Sequence, residues 1–216
     1  MKRNFALAMA IFAAASSVAG CGARDDSPRI SATRSVGAFD AIELQGSANI
    51  DVAVGGAQSL GLEGSERVLE AVRVDVRGQR LVIESKRSWW RPSSGELRVH
   101  ITVPQLRAVT VGGAGDVKIN GLAGGDFALS LSGAGNALAS GQVARLDIEM
   151  NGAGNIDFTQ VTASDTHVQV NGAGNVEVTT TAALDATMNG VGTIRYGGPP
   201  SQVTTQLNGV GSIKAR

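Results

Sequence analysis

Cysteine and histidine, two residue types that often carry catalysis, are scarce in this chain. It holds one cysteine, Cys21, and two histidines, His100 and His167. Neither histidine accompanies a nucleophile motif such as Gly-x-Ser-x-Gly, and no His-x-x-x-His pair offers two imidazoles to a metal. The stretch from Gly112 to Asp116 (GGAGD) looks like a calcium-binding Gly-Gly-x-Gly-x-Asp repeat, but its Asp comes one residue early and the surrounding period is not nine. The recurring Gly-Ala-Gly segments lack the third glycine and the helix of a dinucleotide fingerprint. No cofactor is expected. Two features keep a binding role open. Asp147, His167 and Asp185 recur at equivalent positions, with Glu149 beside them, and could form a weak cation or sugar site or simply a solvated polar face. Trp89 and Trp90 are adjacent on a basic loop; they could stack on sugar rings, insert at a membrane surface or fold over an open end of the structure.

These residues are positioned by a repeat. Gly-x-Gly occurs at Gly113/Gly115, Gly133/Gly135, Gly152/Gly154, Gly172/Gly174, Gly190/Gly192 and Gly209/Gly211. The first glycines are 20, 19, 20, 18 and 19 residues apart. Gly46-Ser-Ala-Asn49 is a degenerate earlier copy. A fixed period of this size marks a solenoid. Apolar residues alternate on both sides of each glycine pair, as in Ile148 and Met150 before it and Ile156 and Phe158 after it, which is strand periodicity with one buried face. A third, looser stretch joins the repeats and carries Leu122, Val143 or Val161.

The expected fold is therefore all-β: a three-sided parallel β-solenoid with coils of about 19–20 residues over 107–216. An antiparallel meander is the rival. Both glycines of every Gly-x-Gly pair are expected in a tight turn at the coil corner, at positive φ, with Asn136, Asn155 and Asn175 in one stacked column and Asn151, Asn171, Asn189 and Asn208 in another. Before the repeats, Ser65 reads as the N-cap of a short helix, Val74 to Ile83 as a hairpin and Leu97 to Pro104 as a strand.

The N-terminus reads as an export signal. Lys2 and Arg3 precede an apolar run from Phe5 to Ala15, too short to cross a bilayer. Val18, Ala19, Gly20 and Cys21 resemble a bacterial lipobox, which implies cleavage after residue 20, lipid attachment at Cys21 and a tether over 21–34. Ordinary secretion with a free thiol is the alternative. Gly22, in place of Asp, leans toward the outer membrane of a Gram-negative cell. A single cysteine excludes an internal disulfide, and zero net charge argues against nucleic-acid binding.

The stretches from Ser35 (SVGAFDAIELQGSANIDVAVG) and Leu97 (LRVHITVPQLRAVTVGGAGDVKI), followed by the GAGN repeats, resemble the head GIN domain family over residues 35–216. These are bacterial envelope proteins, often lipoproteins, linked to autotransporter adhesin heads. The resemblance implies a right-handed parallel β-helix, to which the residues before the repeats add an irregular N-terminal hairpin segment. It also implies adhesion by analogy. With the residues above it gives the expectation of a non-enzymatic structural or adhesive envelope module that meets the membrane through the lipid at Cys21 and an extracellular glycan or envelope protein through its surface. A polysaccharide-active or glycan-binding β-helix and an assembly component without a ligand are the alternatives.

Overall fold

The structure, a computed structural model, describes residues 29–85 and 96–216. The chain runs β1 (Ile30–Thr33), β2 (Ala41–Gln45), β3 (Asn49–Val54), β4 (Ser59–Gly64), α1 (Glu66–Ala71), β5 (Val72–Arg77), β6 (Arg80–Ser85) and β7 (Arg98–Val103). It continues through β8 (Ala108–Val111), β9 (Val117–Leu131), β10 (Ala134–Met150), β11 (Ala153–Val170), β12 (Ala173–Met188), β13 (Val191–Gly197), β14 (Gln202–Leu207) and β15 (Val210–Ala215). The fifteen strands among the described residues join one hydrogen-bonded sheet that winds into a β-solenoid.

Each central coil has three arms. In β10 and β11 these are the arm ending at Met150, the arm from Ala153 and a short third arm around Gln160–Ala163. Their pairing register slips between Leu138 and Ser140, and that of β11 with β12 between Phe158 and Thr162. Successive arms pair in parallel with residue equivalence: Ile148 with Val168, Met150 with Val170, Ile156 with Val176. The expected inward columns are all in place. Leu129, Ile148, Val168 and Ala186 are buried, as are Leu131, Met150, Val170 and Met188, and Val117, Ala137, Ile156, Val176 and Ile194. Period-two alternation thus buries one face of each central arm, and stacking joins these faces into one core. Phe127 and Phe158 meet within it, their rings tilted at 6.2 Å.

The coils do not stack in chain order, which the repeats alone did not predict. In the arm before the glycine corner, β2 lies between β6 and β8, and in the arm after it β3 lies between β7 and β9. The earliest coil is therefore the second in space, and the later segment 80–103 sits outside it. The intervening chain closes this end. β4 pairs antiparallel with β7, β1 with β4, and β5 with β6. The hairpin read from Val74 to Ile83 is β5–β6, but β6 also belongs to the solenoid wall. β1 falls in the stretch read as tether. The helix after Ser65 forms, although Ser65 makes no side-chain cap bond and its buried Oγ has no partner.

The opposite end lies open. Every residue of β14 is exposed, and Val203 and Leu207 occupy inward positions while 42% and 45% exposed.

Candidate functional site

The glycine pairs differ from the expected turns in two respects. The first concerns place. The bend falls on the first glycine alone, at Gly113, Gly133, Gly152, Gly172, Gly190 and Gly209. The second glycine already belongs to the next arm. Gly135 lies in β10, Gly154 in β11, Gly174 in β12, Gly192 in β13 and Gly211 in β15. Gly115 occupies the equivalent position just before β9, next to the bridge between Ala114 and Ala134. These six are therefore strand-edge residues and not turn residues. They pair in register across the coils, Gly135 with Gly154, Gly154 with Gly174, Gly174 with Gly192 and Gly192 with Gly211. The backbone resumes its ladder one residue after the bend, sooner than the symmetry of the motif suggested.

The second respect is conformation. Positive φ belongs to the second glycine only: 143° at Gly115, 154° at Gly135, 156° at Gly154, 152° at Gly174, and 153° at both Gly192 and Gly211. The first glycine is never among the positive-φ residues. What excludes a side chain there is space. A Cβ on Gly152 would collide with the Gly133 carbonyl oxygen one coil earlier, and one on Gly172 with that of Gly152. The second glycines are crowded as well, since a Cβ on Gly135 would meet the Gly115 carbonyl and one on Gly211 that of Gly192. The backbones stack at hydrogen-bond distance, Ala153 N donating to Gly133 O at 2.9 Å and Ala173 N to Gly152 O at 3.0 Å.

The asparagines are not there for left-handed backbone either, since no described non-glycine residue has positive φ. They form ladders. Asn171 Nδ2 donates to Asn151 Oδ1 at 2.7 Å, Asn189 to Asn171 at 2.7 Å and Asn208 to Asn189 at 2.8 Å. Across the corner Asn155 donates to Asn136 at 3.1 Å and Asn175 to Asn155 at 3.0 Å. Asp116 and Asn49 extend this second ladder: Asn136 Nδ2 donates to Asp116 Oδ1 at 2.9 Å, and Asp116 N to Asn49 Oδ1 at 2.9 Å.

Asp147, His167 and Asp185 come together as the repeat requires. His167 pairs in register with Asp147 on one side and Asp185 on the other. Only Asp185 reaches the ring, Oδ2 lying 3.5 Å from Nδ1. The group is exposed on the arm before the corner, and no group of three metal-ligating side chains occurs among the described residues. Cys21, Trp89 and Trp90 lie outside the described residues.

Sequence reasoning missed the concave surface. It lies on the arm after the glycine corner, as two adjoining concavities of about 330 and 470 Å³ that share Asp51. Pairing register lines up His100, Asp51, Lys118, Leu138 and Asp157 across β7, β3, β9, β10 and β11. His100 stands between Asp51 and Glu63, each 3.6 Å from a ring nitrogen. The alignment of Asp51 with Lys118 depends on the out-of-order stacking of β3, so no reading of the repeats alone could find it. At the groove's end, Glu96 accepts from Arg29 at 3.2 Å and Arg98 at 3.3 Å, and from Asn49. Burial opposes ionisation of Glu96, but the two guanidinium groups outweigh it and hold its pKa below the ordinary carboxylate value.

Residues 38–200 match the family model described as "Putative auto-transporter adhesin, head GIN domain". The chain belongs to the head GIN domain family. A head GIN chain should share its fold with solved structures of similar coil geometry, and it does. The crystal structure of a "putative adhesin" from Bacteroides fragilis superposes with a TM-score of 0.74 at 24% identity, covering 90% of this chain and 100% of that one. Two further such adhesins follow, from Parabacteroides merdae (TM-score 0.54, 15% identity, 89% and 98% covered) and Parabacteroides distasonis (0.52, 18%, 89% and 99%). At these identities the likeness concerns the fold. No curated protein matches the chain. No described helix is long and apolar enough to cross a membrane.

Proposed function

We propose that this head GIN protein is a lipid-anchored adhesive module of the bacterial cell surface, holding a ligand on the outer faces of its solenoid without transforming it. The observation that carries this reading is the distribution of burial. From β9 to β12 the inward columns are closed and predominantly apolar, while polar side chains project outward in regular rows. Such a body offers broad, rigid, repeated surface. The adhesin description of the family agrees with it. The lipobox at Cys21 supplies the attachment in this reading, since two or more acyl chains suffice for stable anchoring, and Gly22 favours the outer membrane.

Cells producing the chain, compared with cells lacking it, test this through retention on glycan- and protein-coated surfaces. Producing cells are expected to be retained, and Cys21→Ser cells to shed or fail to process the protein and lose retention. Equal retention of all three strains would overturn the adhesive role. A Cys21→Ser protein processed and membrane-bound like the wild type would overturn the anchor.

A second reading, polysaccharide cleavage, draws on the carboxylates of Asp51, Asp116 and Asp157 around the groove. It requires an acid and a base within reach of one scissile bond.

A further inference from the structure

We infer that the groove on the arm after the glycine corner is the ligand site, and that its ligand is a linear, uncharged polysaccharide lying along the solenoid axis. This rests on the adhesive reading and gives it a place and a ligand class.

The groove is long and open. Its two parts, about 330 and 470 Å³, adjoin as one open surface depression, which suits an extended ligand laid along it rather than one enclosed in it. It runs across the strands, along the direction in which the coils stack.

Its chemistry is repeated along that direction. Asn136, Asn155 and Asn175 stand one strand apart, about 4.8 Å by the geometry of paired strands. Each Nδ2 has two N–H donors, and the ladder uses one of them. The second is left for a ligand at Asn136 and Asn155, the two of these that line the groove, while Asp116 and Asn49 carry the row on toward β3. Beside the ladder runs the row of His100, Asp51, Lys118, Leu138 and Asp157, which lines the two concavities. A surface whose donors and acceptors recur at a fixed short interval suits a ligand whose own polar groups recur at a similar one. An extended chain of pyranose rings meets this, since each ring presents hydroxyl groups that both donate and accept.

Other ligand classes fit less well. Every strand flooring the groove from β7 to β11 is paired on both edges, so an extended peptide finds no edge to join. Nucleic acid requires an excess of positive charge along its track, whereas Lys118 here alternates with Asp51 and Asp157. A lipid chain requires a continuous apolar floor, and Leu138 is the one large apolar side chain exposed in the row. The same alternation of charge favours an uncharged glycan over an acidic one.

The full chain, solubilised in detergent, can be tested on an array of xylan, mannan, cellulose and dextran oligosaccharides, with hyaluronan as the acidic counterpart. Binding to at least one uncharged oligosaccharide is expected, little changed by added salt. Lys118→Ala and Asp157→Ala are expected to weaken it by at least about tenfold, whereas Gln169→Ala and Thr204→Ala, on another face, leave it within about twofold. Melting temperatures close to the wild type would attribute the losses to the site. Binding that the groove variants leave intact would overturn the site. Binding to hyaluronan alone, or to no oligosaccharide, would overturn the ligand class. Retention of producing cells on a protein-coated surface would in that case leave the adhesive reading standing, and its absence there too would remove both.

Discussion

At the scale of single residues, the repeat is governed by how close one coil lies to the next. Gly152 has an ordinary φ, so in open surroundings alanine there would cost little and could stabilise by about 0.4–1 kcal/mol through the unfolded chain. Instead its Cβ would meet the Gly133 carbonyl. Gly152→Ala is therefore expected to destabilise by about 1–3 kcal/mol, the range of overpacked interiors. Gly125→Ala is the control, because nothing lies within 4 Å of a Cβ at that position and its φ is not positive. Chemical denaturation of the two variants checks this; equal midpoints would refute the close-contact account. The need for glycine was legible in the sequence, but the division of labour within each pair was not. Gly-x-Gly reads as one turn, whereas Gly152 makes the bend and Gly154 begins β11. A clash between residues nineteen positions apart becomes visible only when both coils are placed.

At the scale of elements, arm lengths and inward columns were legible because period two and a near-constant coil length constrain each other. The order of stacking was not. β6 and β7 carry no Gly-x-Gly pair, and their parallel partners β2 and β3 lie tens of residues earlier in the chain. Part of what fastens this end is ionic. Glu96 joins Arg29, Arg98 and Asn49. Gln45 accounts first for the lowered pKa of Glu43, with Arg80 adding to it against burial. A carboxyl group whose folded pKa is depressed contributes stability above its unfolded pKa and loses it as pH falls through the folded value. Melting temperature is thus expected to fall as pH drops below the ordinary carboxylate range, with Glu96→Gln flattening part of that fall. The effect should be about 1 kcal/mol or less, since these groups are partly exposed. A Glu96→Gln profile parallel to that of the wild type would remove Glu96 from the account.

For the whole molecule, the two ends differ. One is closed by β1, β4, β5 and α1, whereas β14 and β15 meet neighbours on one side only. In a stack of coils, stability is approximately a sum of contacts between neighbours, so local opening should begin at β14 and β15. Amide hydrogen exchange is expected to be fastest there and slowest in β10 to β12. Uniform protection along the chain would contradict this. The family was legible from ordered motifs, and the groove was not. Asp147, His167 and Asp185 become neighbours as their spacing requires, but on a wall away from the groove. The groove needs Asp51 beside Lys118, which follows from the stacking order alone. The central claim is that this surface holds a glycan and leaves it unchanged. The most direct measurement incubates the full chain with a polysaccharide that it binds and follows new reducing ends together with chain length. A bound polysaccharide of unaltered length is expected, with no reducing ends above the protein-free control. Shortened chains whose formation is abolished by Asp157→Ala would contradict it and make the groove an active site.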